Sequence, residues 1–229
     1  RFNVKTLTNA TMKEFWNFLK NEHKISKDYP EIYKEVKDCQ SVISQRSNNT
    51  LVGFMKRLKV FFSWCIEEGV ISESPLAGFE MPTEKYGTPI YITKEELHTI
   101  YNCDLSDAPH LDRQRDIFVF QCCIGCRVGD LVRLTKADVI NGAIEYIASK
   151  TIEENQKTIL VPLNKTALAI LEKYKDYEGP KLLPFITQPK YNDAIKEIFT
   201  RAGITRNVTY LNPLTEREEK VPINTIASS

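Results

Sequence analysis

From Gln121 to Leu134 the chain reads Gln-Cys-Cys-Ile-Gly-Cys-Arg-Val-Gly-Asp-Leu-Val-Arg-Leu, and the residues best placed to do chemistry lie here. An apolar, cysteine-rich helix is expected to run into Gly125. A second helix should start at once on Arg127, whose neighbours Val128, Leu131, Val132 and Leu134 are spaced for burial. Arg127 is thus expected at a buried corner. A guanidinium placed there is costly unless it is paired. Two readings stay open: Asp130, one turn on, holds Arg127 as part of the fold, or the arginine waits for an anion.

The elements that must position this corner come from both sides. Asp112 to Cys126 carries Ile117, Phe118, Phe120, Gln121 and Ile124 into it, the pattern of a buried spine helix. Before that, Thr93-Lys-Glu-Glu96 is a capping box that opens a helix. After it, Ala143 to Lys150 and Lys157 to Leu163 alternate as strands around a polar turn at Ile152 to Gln156, giving a hairpin. Lys165 to Tyr174 and Gln188 to Ala202 follow as amphipathic helices, the latter closed by Gly203. Asn207 to Leu211 and Lys220 to Ile223 are expected to pair around Asn212-Pro213. Tyr191 and Tyr210 read as packing residues, and His98 and His110 as surface or cap histidines.

The first part of the chain is helical throughout. Thr8 to Lys20 places Met12, Phe15, Trp16 and Leu19 on one side, and Tyr29-Pro30 leads to a second segment through Val36. Arg46, Ser47 and Asn48 then precede a long helix, roughly Asn49 to Glu68, ended by Gly69. Leu51, Phe54, Met55, Leu58, Phe61, Phe62 and Cys65 gather on one of its sides, with Asn49, Gly53, Lys56, Val60 and Ser63 opposite and Arg57 and Lys59 flanking. No acidic residue occurs between Asp38 and Glu67, whereas Arg46, Lys56, Arg57 and Lys59 do. A face of one sign with a small residue at its centre suits close approach by phosphates; the plain alternative is a basic solvated surface.

Composition narrows the class. With 229 residues, 42% hydrophobic and 27% charged, this is a globular chain long enough for two domains. The formal net charge of +1 does not advertise nucleic acid, so the uneven distribution of charge matters more than its sum. Cys39, Cys65, Cys103, Cys122, Cys123 and Cys126 read as reduced core thiols. Cys123-x-x-Cys126 lacks the second ligand pair of a structural zinc site, and neither a metal nor another cofactor is expected. The chain begins with Arg1 and has no apolar run of signal or membrane length, so it reads as an intracellular protein or an excised part of one.

Gly-Cys-Arg127-Val-Gly-Asp-Leu-Val-Arg-Leu, with its Thr-Lys-Ala-Asp-Val continuation, resembles the first arginine box of the tyrosine recombinases, most of all the integrases of phages and conjugative transposons. Arg46-Ser-Asn-Asn-Thr-Leu and Met55-Lys-Arg-Leu-Lys-x-Phe-Phe-x-Trp-Cys, then Glu68-Gly-Val-Ile-x-x-Ser-Pro-Leu, are similar to the last helices of that family's core-binding domain. The resemblance implies a mainly α chain: a SAM-like all-α core-binding bundle at 1–86, a linker within Gly78 to Tyr91, and an α+β catalytic domain at 87–229 with a small antiparallel sheet. It implies a site-specific recombinase that cleaves and rejoins double-stranded DNA through a 3′-phosphotyrosyl intermediate, working as a tetramer in the bacterial cytoplasm.

Roles follow residue by residue. Arg127 would be half of an arginine clamp on the phosphoryl oxygens, and Lys150, at the end of the first hairpin strand, the general acid for the leaving 5′ oxygen. Lys157 is its rival, since the turn looks longer than the family's. Arg46, Asn49, Lys56, Arg57, Lys59 and Lys157 would meet DNA, mainly its backbone. The family's His-x-x-Arg box and nucleophilic tyrosine would follow about where the sequence stops at Ser229, so the chain as it stands is expected to be inactive, an incomplete part of a recombinase. The alternative is a DNA-binding protein of the same fold that has lost catalysis.

Overall fold

The computed structural model describes residues 3–34, 43–149 and 158–229. The chain divides into two compact units, residues 1–88 with 209–219, and residues 89–208 with 220–229.

In the first unit a short 3₁₀ turn, Val4–Thr6, leads into helix α1, Asn9–Asp28. Its N-cap Thr8 accepts the Thr11 amide at 3.3 Å. The helix continues beyond the expected Lys20, because no breaker occurs until Tyr29-Pro30, where α2, Pro30–Tyr33, begins with proline in its first turn. The remainder of that expected second segment falls outside the described residues. Helix α3, Asn48–Glu67, is capped by Ser47 and stopped by Gly69 in the left-handed region (φ 67°), where the Val70 amide returns to the Cys65 carbonyl at 2.9 Å. Met12, Met55, Phe62 and Leu76 form the centre of this unit's core, joined by Trp16 edge-on to Phe79 at 6.0 Å.

The buried stripe of α3 is rotated from the expected one. It runs through Leu51, Val52, Met55, Phe62 and Cys65, leaving Phe61 45% exposed. Val52 joins the stripe at the edge opposite Phe61, so the buried face turns away from Phe61. Phe15 on α1 likewise stands at the margin and stacks on Phe18 in the open.

In the second unit α4, Lys94–Tyr101, starts on the capping box: the Glu96 amide reaches the Thr93 hydroxyl at 3.2 Å, and the Thr93 amide reaches the Glu96 carboxylate at 2.8 Å. Helix α5, Pro109–Ile124, is the spine, with Ile117, Phe118, Val119 and Phe120 all buried because α4, α7 and α8 pack around it. The four-residue α6, Val128–Leu131, follows, then a 3₁₀ turn at Lys136–Asp138. Strands β1, Val139–Ile140, β2, Ala143–Ile147, and β3, Thr158–Pro162, form an antiparallel sheet in the order β1-β2-β3, with Ala143 opposite Pro162 and Ile147 opposite Thr158. Helices α7, Lys165–Lys173, and α8, Gln188–Arg201, close the core, Phe199 meeting Phe118 edge-on at 5.6 Å. Strands β4, Asn207–Leu211, and β5, Glu218–Pro222, whose residues 209–211 and 218–219 are assigned to the first unit, pair as a second small sheet, and α9, Ile223–Ile226, follows.

The chain is thus mainly α with two small antiparallel sheets. Truncating a fully buried spine residue such as Phe120 would cost about 3–5 kcal/mol.

Candidate active site

Helix α5 ends on Gly125, which takes a left-handed conformation (φ 64°) and returns its amide to the Gln121 carbonyl at 2.8 Å. A side chain would be strained there. The chain then turns through Cys126 to Arg127, the N-cap of α6, with extended backbone (φ −68°, ψ 150°). The Arg127 carbonyl accepts the amides of Asp130 at 3.0 Å and Leu131 at 2.9 Å, so the backbone on that side is fixed. On the other side the Cys126 carbonyl accepts the Gln121 side-chain amide at 3.2 Å.

The expected burial of Arg127 is corrected: its side chain is exposed. It belongs to the cap and not to the helix, so the helical spacing of Val128 and Leu131 does not carry it inward. Asp130 does not hold it either. The buried Asp130 carboxylate accepts the Ser149 amide at 3.0 Å, the Ser149 hydroxyl at 2.8 Å and Arg133 at 2.7 Å. Burial pushes this carboxyl up, but the hydrogen bonds from Ser149 and Arg133 outweigh it and leave it below the ordinary range. Among the described residues, the Arg127 guanidinium has neither a hydrogen-bond partner nor an ion pair.

Behind the corner lie the buried Cys126, Gln121 and Tyr191. Burial, with Asp130 nearby, pushes the Cys126 thiol up to about 11. Tyr191 of α8 is 0% exposed, and its hydroxyl donates to Gln121 at 3.0 Å. Burial also raises its phenol well above the usual range, as befits a packing residue. Tyr210 is half-buried, and His98 and His110 are exposed. Among the described residues no group of three His, Cys, Asp or Glu side chains could hold a metal ion.

Lys150 and Lys157 lie outside the described residues. Of the basic-face residues in the first unit, three are engaged internally. Arg46 pairs with Glu22 and lies over the Phe54 ring at 5.8 Å. Asn49 clasps the Lys85 backbone, donating to its carbonyl at 2.6 Å and accepting its amide at 3.0 Å. Lys56 pairs with Glu84. Arg57 rests over Phe54 at 5.9 Å, and Lys59 is exposed with no ion pair among the described residues. Gly53 faces open space: nothing lies within 4 Å of where a Cβ would be.

A polar cluster in the second unit was not foreseen. Asp116, 1% exposed, accepts from Arg115 at 2.9 Å, Lys173 at 2.6 Å and the Tyr174 hydroxyl at 2.9 Å. Arg115 also reaches Asp112 at 2.5 Å and the Cys103 carbonyl at 2.8 Å. It fastens α7 to the spine. The signal was present as Asp112-x-x-Arg115-Asp116 on a helix otherwise read as apolar.

In the second unit a spine helix thus turns into a one-turn helix beside a three-stranded sheet, and the arginine at the turn has no partner among the described residues. The sequence is 28% identical over 162 residues to the tyrosine recombinase XerD of Listeria monocytogenes, covering 70% of this chain and 52% of that protein. It is 24% identical over 188 residues to a tyrosine recombinase of Thermosipho africanus, covering 80% and 65% respectively. The chain spans about half the length of the XerD relatives it matches. No family model matches. A lambda integrase (75–356) dimer bound to a COC′ core site superposes with a TM-score of 0.57 at 18% identity, over 89% of this chain and 66% of that one. The Tn1549 transposon integrase in complex with a circular intermediate DNA gives a TM-score of 0.53 at 14% identity, over 96% and 68%. The chain is thus similar in sequence to tyrosine recombinases and in fold to integrases.

Proposed function

We propose that this chain is the core-binding and catalytic part of a site-specific recombinase that breaks and rejoins double-stranded DNA through a 3′-phosphotyrosyl intermediate. The observation that carries the reading is that the Arg127 guanidinium has no partner among the described residues. It sits on a corner whose backbone is tied on both sides, while the one acidic residue near enough in sequence to neutralise it is occupied by Ser149 and Arg133. A guanidinium that projects from a fixed backbone fits a phosphoryl group, whose oxygens gain charge in the transition state.

The finer assignments rest on the resemblance. Lys150 is the general acid for the leaving 5′ oxygen, with Lys157 its rival. Ser149, held by Asp130, brings the chain to the edge of position 150 from the arginine corner. Arg57 and Lys59 meet the DNA backbone from the first unit, residues 1–86 acting as the clamp and 87–229 as the catalytic domain. Assembly as a tetramer on DNA and work in a bacterial cytoplasm complete the reading. No helix among the described residues is long and apolar enough to cross a membrane.

The test uses the full-length polypeptide that contains this chain and a nicked duplex that traps the covalent product. The wild type should yield a protein–DNA adduct that survives denaturant, and Arg127→Ala should lower its rate by about a hundred- to a thousandfold. Salt-dependent duplex binding with no adduct would instead leave a DNA-binding protein that has lost catalysis. An Arg127→Lys protein that keeps the wild-type rate would remove Arg127 from the chemistry.

A further inference from the structure

We propose that Gln121 and Tyr191 are positioning residues for Arg127: a buried relay from α8 through α5 aligns the peptide bond from which the arginine projects. The proposal rests on the recombinase reading. The Tyr191 hydroxyl donates to Gln121 Oε1 at 3.0 Å, and Gln121 Nε2 donates to the Cys126 carbonyl at 3.2 Å. That carbonyl belongs to the peptide bond whose nitrogen is the backbone nitrogen of Arg127. Both residues are buried, Tyr191 being 0% and Gln121 8% exposed.

Packing alone does not call for these residue types. A phenylalanine would keep the edge-on contact of Tyr191 with Phe185, whose ring centres are 4.8 Å apart. A leucine or methionine would fill the place of Gln121 with no amide to desolvate. Buried polar groups need partners, and here Tyr191 donates to the Gln121 side-chain oxygen while the Gln121 amide nitrogen donates to the Cys126 carbonyl, two bonds in series that end on that carbonyl. The Cys126 carbonyl lies past the end of α5, where helical bonding has stopped, so without Gln121 it is a buried acceptor with no donor.

The consequence reaches Arg127 because its side chain has no tether of its own among the described residues. Its direction is set by backbone alone. Asp130 and Leu131 fix the carbonyl side of Arg127, and the relay fixes the other. A small rotation of the 126–127 peptide is amplified along a long side chain, and a misplacement of about 1 Å at a reacting centre costs about a hundredfold in rate.

The experiment compares Tyr191→Phe and Gln121→Met with wild type in the full-length polypeptide, each alone and combined with Arg127→Ala. Adduct formation on the trapping duplex should fall by about ten- to a hundredfold in either single variant, with duplex affinity unchanged. In the Arg127→Ala background neither change should cause a further loss, because a residue that acts through Arg127 has nothing left to act on. A duplex bearing a methylphosphonate at the scissile position, with one charged oxygen removed, should shrink the penalty of Tyr191→Phe in step with that of Arg127→Ala. Equal losses in both backgrounds, or a loss that merely follows a lowered unfolding midpoint, would overturn the relay. If the wild type forms no adduct, the recombinase reading fails by itself, and the relay is judged on the 229-residue polypeptide: Tyr191→Phe must shift the Arg127 backbone amide resonance, and an unmoved resonance overturns it.

Discussion

Asp130 grips Ser149 twice, its carboxylate accepting the serine amide at 3.0 Å and the hydroxyl at 2.8 Å. One residue of the arginine box thereby anchors the end of strand β2, so the corner that bears Arg127 and the strand leading towards Lys150 share a fastening. The carboxylate in the Arg-x-x-Asp pattern serves the hairpin and leaves the arginine free.

This grip sets a pH dependence. The folded Asp130 carboxyl titrates below its unfolded value of about 3.9, so its stabilisation is present above about pH 4 and is lost as the pH falls through the folded pKa. Asp130→Ala should lower unfolding stability at pH 7 by about 2–3 kcal/mol, since two neutral donors and a guanidinium lose a buried charged acceptor. Urea titrations at pH 7 and pH 3 should give a smaller difference between the two proteins at the lower pH.

Arg127 presents the opposite case. With no partner among the described residues, its replacement by alanine should change stability by less than about 0.5 kcal/mol. A thermal melt with a clearly lowered midpoint would mean that the guanidinium is spoken for in the fold.

On the first unit, charge accounting predicts unequal lysines. Lys59→Ala should reduce the slope of log affinity for duplex DNA against log salt by about 1, as loss of one phosphate contact does. Lys56 is shared with Glu84, so Glu84→Gln should release it and strengthen DNA binding, most visibly at low salt. Weaker binding by the Glu84→Gln protein would contradict the assignment of this face.

The buried cluster at the foot of α7 should be a fragile polar feature. Asp116→Ala leaves the Tyr174 hydroxyl without its acceptor and leaves Arg115 and Lys173 to share Asp112, and should cost about 1–3 kcal/mol. Chemical denaturation measures this directly; a loss under 1 kcal/mol would mean that water replaces the carboxylate.

What could be read ahead of the structure was local. The Thr93 capping box, the spine into Gly125, the stops at Gly69 and Gly203, and the pairing of Asn207–Leu211 with its partner strand all depend on residues close in sequence. The misreadings came from tertiary partners. Glu22 and Glu84, which neutralise Arg46 and Lys56, are remote along the chain, so a count of charge within one segment could not include them. Helical spacing buries Arg127 only if it is a helix residue; as a cap with extended backbone it leaves the helical projection altogether. The rotation of α3 away from Phe61 depended on which neighbour covers it, which periodicity does not specify.

The polypeptide leaves its first unit after Thr88 and re-enters it only for residues 209–219, where Glu216 meets Lys85 at 2.9 Å. Proteins commonly fold their N-terminal part first as it emerges from the ribosome. Here the first-made unit must wait, partly assembled, until most of the second has been translated. Its completion thus reports that the downstream chain has been made.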